Sequence, residues 1–368
     1  MTVQLMEGDC VQVLKTLEAA SVQCVVTSPP YYGLRDYDVE GQIGLEPSPE
    51  AYVEQLVKVF REVWRVLKDD GTLWLNLGDS YNGNKNGNTN GTYANGVENK
   101  AKVYAKSDTF TKKLWSGAKT KDLLGIPWMV AFALRADGWY LRSDIIWAKP
   151  NPMPESVRDR PTKSHEYIFL LTKSAHYFYD YQAILEPANY DGRKDTRMKG
   201  FVKYDEQTAA RKGGERWPNK LSATGVGGDG SGFKGHSGNR DANGNIIGYK
   251  LPPIGGVKRA GGDNSTYSGN TPDAVYKDGV PARNKRDVWT VNTKPYKGAH
   301  FAVFPDALIE PCILAGSAKG DIVLDPFCGS GTTMAVAAKH GRNGIGIDLN
   351  PAYLELTRER LAKVQVEF

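Results

Sequence analysis

At 368 residues the chain can hold one large domain and a smaller insertion. No apolar run reaches the length of a membrane span and the N-terminal residues lack a signal-peptide core, so a cytoplasmic location without a membrane partner is expected. The four cysteines, Cys10, Cys24, Cys312 and Cys328, lack metal-binding spacing and fit reduced, mostly buried positions, while a net charge of +5 is compatible with a polyanionic partner.

Val3 to Asp9 reads as a first strand, Gln12 to Leu17 as a helix and Val22 to Val26 as a second strand, together one βαβ step. The apolar, β-branched run Val22 to Val26 leads directly into Thr27-Ser28-Pro29-Pro30-Tyr31. Ligands of open α/β sheets bind at such strand ends. An exocyclic amine is conjugated with its ring and is a poor nucleophile, so a site that alkylates it must accept its two N–H bonds and leave the nitrogen lone pair free. Ser28 offers a side-chain oxygen, and the Ser28 or Pro29 carbonyl offers a second acceptor. The prolines fix φ and hold the preceding residue extended, so carbonyls face outward without competing N–H donors. Tyr31 and Tyr32 stand next to this pocket and can stack on a base, as aromatics do around a flipped nucleotide.

Ser48 to Leu67 has helical periodicity through Tyr52, Leu56, Phe60, Val63 and Leu67, with Asp69-Asp70-Gly71 as its stop. Thr72 to Leu77 follows as a buried strand with Gly78-Asp79-Ser80 at its carboxyl end, then Ile126 to Ala136 as a helix. Tyr140 to Trp147 and His165 to Thr172 read as an antiparallel pair that closes the sheet at its edge. Pro305 to Ala315 is helical, which makes Cys312 a core residue.

Ile322 to Leu324 is a strand that runs into Asp325-Pro326-Phe327-Cys328-Gly329-Ser330-Gly331. Gly329 and Gly331 permit a positive φ and a close backbone approach to a ligand, and Thr332 to Lys339 is a helix whose N-terminus faces it. No lysine follows the last glycine, so this is not a Walker loop, and the dinucleotide fingerprint lacks its third glycine. The next strand, Gly344 to Ile347, ends at Asp348, placed either to bind two ribose hydroxyls or to cap the helix from Pro351. Ala352 to Val364 then forms the crossover toward the first strand of the chain. Joined end to end, the pieces complete one doubly wound sheet whose natural start lies at residue 291.

On these motifs the chain resembles the amino-group DNA methyltransferases of bacteria and phages, in the permuted order called the β group. The resemblance covers most of the chain. It implies an α/β fold, a circularly permuted Rossmann-like methyltransferase sheet with an inserted target-recognition region. It also implies S-adenosylmethionine as cofactor and double-stranded DNA as partner; no metal is expected, and neither a cognate restriction endonuclease nor the choice between monomer and homodimer is readable from the sequence. In this family Ser28, Pro29, Pro30 and Tyr31 would be catalytic, with Thr27 toward the cofactor. Asp325, Pro326, Phe327, Gly329, Ser330, Gly331 and Thr332 would form the cofactor turn, Asp348 would hold the ribose, and Asp9 would close the adenine pocket. His300, Phe301, Phe304 and Pro305 would lie against the methionine moiety, and Lys149 and Asn151, within Ile146 to Pro154, beside the target base. Relatives with Ser at the first pocket position are often cytosine-N4 enzymes, whereas those with Asp are usually adenine-N6 enzymes. Cytosine N4 is therefore the expected target and adenine N6 the alternative. A non-catalytic DNA-binding protein on the same scaffold and a nucleotide-dependent oxidoreductase are the rival classes; the intact Ser28-Pro29-Pro30-Tyr31 argues against the first.

Charge is unevenly spread. Residues 82–120 carry about seven cationic against two acidic side chains, and 181–290 about eighteen against twelve, with nineteen of the forty glycines. Such stretches bury little core and are expected to be mobile until they meet a polyanion. The resulting organisation is a catalytic half at 1–180 with a basic loop at 82–120, a target-recognition region at 181–290, and a cofactor half at 291–368. Arg193, Lys194, Arg211, Lys212, Arg283, Lys285 and Arg286 are the candidate DNA contacts of the middle region.

Overall fold

The computed structural model of the chain describes residues 1–37, 39–83, 115–188, 282–293 and 304–364, with the backbone of short strands at 239–240, 246–248, 276–277 and 280–281. The chain divides into two compact units, 1–186 with 283–368, and 187–282. The first carries the sheet. Residues 181–186 and 283–290, expected within the recognition region, belong to this first unit.

Eight strands form the sheet: β1 (Val3–Glu7), β2 (Val22–Thr27), β3 (Leu67–Leu77), β4 (Tyr140–Ala148), β5 (His165–Thr172), β6 (Val288–Thr290), β7 (Ile322–Asp325) and β8 (Asn343–Asp348). Their spatial order is β1-β8-β7-β2-β3-β5-β4-β6. The first strand of the chain pairs in parallel with the last, Val3 opposite Gly344 through Glu7 opposite Asp348. β5 is antiparallel to both β3 and β4. β4 is not the edge, because β6 pairs in parallel outside it, Trp289 opposite Trp147. Three residues are too short to show a period of two, so this strand is not visible as a pattern.

The helices are α1 (Cys10–Thr16), α2 (Pro49–Val66), α3 (Ile126–Ala136), α4 (Asp306–Gly316), α5 (Thr332–Lys339) and α6 (Pro351–Ala362). α2 shows why local sequence suffices for some of them. Ser48 caps its start by accepting from the Ala51 N–H, Pro49 occupies the first turn, and Tyr52, Leu56, Val59, Phe60, Val63 and Val66 all face inward. Each fully buried side chain of this size stabilises the fold by about 1.5–3 kcal/mol. The helix does not stop at Asp69-Asp70-Gly71. It ends at Val66, and β3 begins at Leu67, with Asp69 and Asp70 as exposed strand positions. α1 begins at Cys10 rather than Gln12 because Asp9 caps it, accepting from the Gln12 N–H at 3.0 Å. All four cysteines are free and buried, and burial pushes the Cys312 thiol well above its ordinary range, as a core residue requires.

From β7 the chain adds β8 on one side, and from β2 it adds β3 on the other, so the strand order reverses between the parallel neighbours β7 and β2. At this reversal Thr27 Oγ1 donates to Asp325 Oδ1 at 2.6 Å, and Thr333 Oγ1, from α5, donates to Asp325 Oδ2 at 2.7 Å. The Phe327 N–H adds a third bond at 3.1 Å. Burial nevertheless raises the Asp325 carboxyl from 3.8 to about 6, with the three donors opposing the shift. A carboxyl raised on folding contributes stability that is complete below its unfolded value and is lost as pH rises to the folded one. Asp325→Asn keeps an acceptor for Thr27 and removes the titration. Urea titrations should show wild-type stability falling relative to the variant between about pH 4 and 6, then a constant difference. A difference that grows in favour of wild type over that window would contradict this assignment.

Candidate functional site

The parallel strands deliver their functional residues to one side of the sheet, and a single cavity there is lined from both halves of the chain. Ser28, Pro29, Pro30 and Tyr31 follow β2; Gly8 and Asp9 follow β1; Pro326, Phe327 and Gly329 follow β7; Asp348 closes β8. Leu34, Tyr37, Ile43, Leu349 and Tyr353 supply apolar and aromatic wall, with Tyr37 edge-on to Tyr353 at 6.4 Å. The wall residues Leu34, Tyr37, Val39, Ile43 and Tyr353 carry no motif and are not evident from the sequence.

Gly329 adopts φ +54° and donates its N–H to Asp348 Oδ2 at 2.8 Å, while Asp348 Oδ1 accepts from the Asn350 N–H at 2.8 Å. Asp348 does not cap α6; Asn350 does, accepting from the Ala352 N–H at 3.0 Å. Burial pushes the Asp348 carboxyl upward, and its backbone donors oppose that. Asp9 lies on the same cavity, one oxygen engaged by the α1 cap.

Several residues expected on the ligand sit instead in the frame behind it. Thr27 and Asp325 are buried and spend their side chains on each other. Thr332 accepts from Arg360 at 2.8 Å. Gly331 has the positive φ expected of it, +72°, and a Cβ there would also stand 2.4 Å from Thr357 Cγ2 of α6. Its small size serves helix packing, and it is not among the residues that line the cavity. Ser330 is buried, and its hydroxyl has no hydrogen-bond partner among the described residues. Phe304 is buried in the core with Leu308 and Ile309, and Pro305 precedes α4 as its N-cap residue. His300 and Phe301 lie outside the described residues, as do Arg193, Lys194, Arg211 and Lys212.

Tyr31 and Tyr32 part company. Tyr32 is 4% exposed and packs on Tyr52 at 5.6 Å, so it belongs to the core and not to a base-stacking surface. Tyr31 lies against Gly78, where a Cβ would come within 2.5 Å of its ring. Its hydroxyl donates toward Glu166 Oε2 at 2.7 Å and Asn76 Oδ1 at 3.1 Å, and Ser28 Oγ donates to it at 3.4 Å. Lys149, expected beside the base, forms an ion pair with Glu166 and lies over the Trp147 ring at 4.1 Å. Glu166 and Asn76 are the residues that motif reasoning misses. The signal in the sequence is a polar residue near the end of each of two mostly apolar strands, Asn76 within Thr72 to Leu77 and Glu166 within His165 to Thr172.

Asp79 does not reach the cavity: its carboxylate accepts from the Ser80, Gly125 and Ile126 N–H groups and so caps α3. Lys163 donates to the Asp79 carbonyl at 2.5 Å, and burial lowers its ammonium below the ordinary lysine range. Asn151 exchanges hydrogen bonds with the Thr293 backbone at 2.9 and 3.1 Å, which joins the loops after β4 and β6. Arg283 and Arg286 both pair with Glu186 Oε1, and Lys285 lies over the Trp289 ring at 5.0 Å.

Comparison with known proteins follows the same lines. A family model described as DNA methylase, of the N6/N4 type, matches residues 22–359. The chain is 42% identical over 359 residues to the Type II methyltransferase M.Cfr9I of Citrobacter freundii, spanning 97% of this chain and 87% of that protein. It is 39% identical over 360 residues to the Type II methyltransferase M.SmaI of Serratia marcescens, spanning 98% and 91%. The solved structure of PvuII DNA methyltransferase, named as cytosine-N4-specific, matches with a TM-score of 0.53 at 15% identity over 98% of this chain and 87% of that one, a likeness of fold. The match runs through both motif-bearing halves, and the chain belongs to the N6/N4 family of DNA methyltransferases.

Proposed function

We propose that this methyltransferase transfers a methyl group from S-adenosylmethionine to the exocyclic N4 of cytosine in duplex DNA, as the modifying partner of a restriction endonuclease. The observation that carries the reading is the shared cavity, lined by Ser28-Pro29-Pro30-Tyr31 and by Gly329 and Asp348 together.

The residues fit such a cofactor. Asp348 and Asp9 present carboxylates to a ligand rich in hydroxyl and amino donors, Gly329 brings backbone close, and Tyr37, Phe327, Leu349 and Tyr353 offer apolar wall to a purine. When bound, the sulfonium supplies an activated methyl group and departs as a neutral thioether. The chain's own residues then have mainly to place the amine. Ser28 Oγ and a proline-flanked carbonyl accept its N–H bonds and favour a lone pair aimed at the methyl group. Positioning and fixed dipoles supply most of the acceleration in such a site. Tyr31 is set to cover the base with its ring while its hydroxyl stays anchored to Glu166.

The choice of cytosine N4 rests on Ser28 in place of a carboxylate at the first pocket position. Sequence recognition is assigned to the region at 181–290, whose cations outnumber its acids by about eighteen to twelve. Arg283 and Arg286 share Glu186, so phosphate binding there would exchange one partner for another.

Two variants separate the roles. Ser28→Ala should reduce single-turnover methyl transfer by about 100-fold or more, with cofactor affinity unchanged in calorimetry. A near-normal rate would remove Ser28 from the chemistry. Asp348→Ala should weaken cofactor binding by one to two decades, from loss of a charged hydrogen bond of about 1.5–3 kcal/mol. Unchanged affinity in a folded variant would place the cofactor elsewhere.

A further inference from the structure

The hydrogen bonds behind the Ser-Pro-Pro-Tyr motif have a direction. Tyr31 Oη lies 2.7 Å from Glu166 Oε2 and 3.1 Å from Asn76 Oδ1, and both atoms only accept. Asn76 is fixed in that sense because its Nδ2 donates to the Tyr167 carbonyl at 3.0 Å and to Glu166 Oε2 at 3.3 Å. The other Glu166 oxygen is held by the Lys149 ammonium. The single Tyr31 proton therefore points inward, and its oxygen is left to accept from Ser28 at 3.4 Å. A serine hydroxyl that donates to tyrosine turns its lone pairs the other way. Ser28 lines the cavity, and in this orientation its lone pairs, not its proton, are what it can offer to a bound base.

We propose that Glu166 is the positioning residue that makes Ser28 an acceptor: through Tyr31 it orients the serine hydroxyl so that the pocket admits a base edge that donates, an amino group, and disfavours one that only accepts, a carbonyl. This rests on the amino-methylation reading above and extends it to a residue outside both motifs. It also explains how a neutral serine serves the reaction. The Glu166 carboxylate stands two hydrogen bonds behind it, and its charge polarises both hydroxyls toward greater acceptor strength at Ser28. Removing the carboxylate takes away that polarisation and leaves neutral Asn76 Oδ1, at 3.1 Å, as the weaker anchor of the Tyr31 proton, so the serine proton is freer to turn into the cavity, where it would oppose an amine. Buried polar chains of this kind lose their value when one member is removed.

The test uses the full chain and a duplex carrying the site mapped for the wild-type enzyme. Single-turnover methyl transfer should fall by about 10- to 100-fold in both Glu166→Gln and Tyr31→Phe, and the double variant should be no worse than the poorer single one, because both cut one chain. Cofactor affinity should stay within about threefold of wild type in each. A second readout needs no turnover: wild type should bind the cytosine duplex more tightly than one with uracil, a carbonyl, at the target position, and Glu166→Gln should lose most of that preference. Tyr31→Phe removes one hydroxyl only, so it decides the matter if Glu166→Gln fails to fold. Multiplying rate losses, or an intact preference for the amine in either folded variant, would overturn the role of Glu166. Absence of methyl transfer by the wild-type chain would instead overturn the function on which it rests.

Discussion

A hydrogen bond of 2.6 Å between Thr27 and Asp325 is the constraint on which the rest of the site depends. These residues are 298 positions apart in sequence and close β2 and β7, the adjacent parallel strands between which the strand order reverses. Ser-Pro-Pro-Tyr leaves from one and the glycine turn from the other. A buried carboxyl without donors would be costly, and here Thr27, Thr333 and the Phe327 N–H supply three. The two loops are thereby referred to one buried point, and the ligand cavity opens where they diverge. Thr357 performs a similar service further out, donating to the Gly329 carbonyl at 2.9 Å and packing on Gly331.

Much of this frame was legible in the sequence, for physical reasons that also mark where legibility ends. β2, β7 and β8 are apolar runs that end in proline, glycine or aspartate, and both the strands and the cavity-lining tips follow from that pattern. The joining of the chain's first strand to its last follows from counting crossovers, and the β1–β8 pairing has that form. What the pattern does not carry is side-chain direction at strand ends. Thr27, Asp325 and Thr332 sit in motifs expected to bind ligand yet point into the frame, because each finds a partner from a distant element. Tyr31 and Tyr32 are neighbours with opposite fates for the same reason, one held by Glu166 and the other packed on Tyr52. β6 is three residues long beside a basic, glycine-rich region, and only the pairing of Trp289 opposite Trp147 reveals it.

The charged and polar residues near the Ser-Pro-Pro-Tyr motif divide into two kinds. Lys149, Glu166 and Asn76 form a partly buried set whose hydrogen bonds fix one another's orientation, so a change at one is felt at the others. Arg283 and Arg286 are more exposed, and ion pairs of that sort contribute about 0–1 kcal/mol, little enough for a phosphate to replace Glu186 as partner. On the proposed function, chemistry would rest on the rigid set and DNA contact on the adaptable one, the division an enzyme needs if it holds a flipped base still while following a long polyanion.

The claim that joins these parts is that one cavity brings an amino-bearing base to an activated methyl group. The most direct measurement is nucleoside mass spectrometry of duplex DNA incubated with the purified chain and methyl-labelled S-adenosylmethionine. The account predicts label in N4-methyldeoxycytidine. Label in N6-methyldeoxyadenosine would keep the site and change the base, whereas label at a ring carbon, or none, would contradict the account.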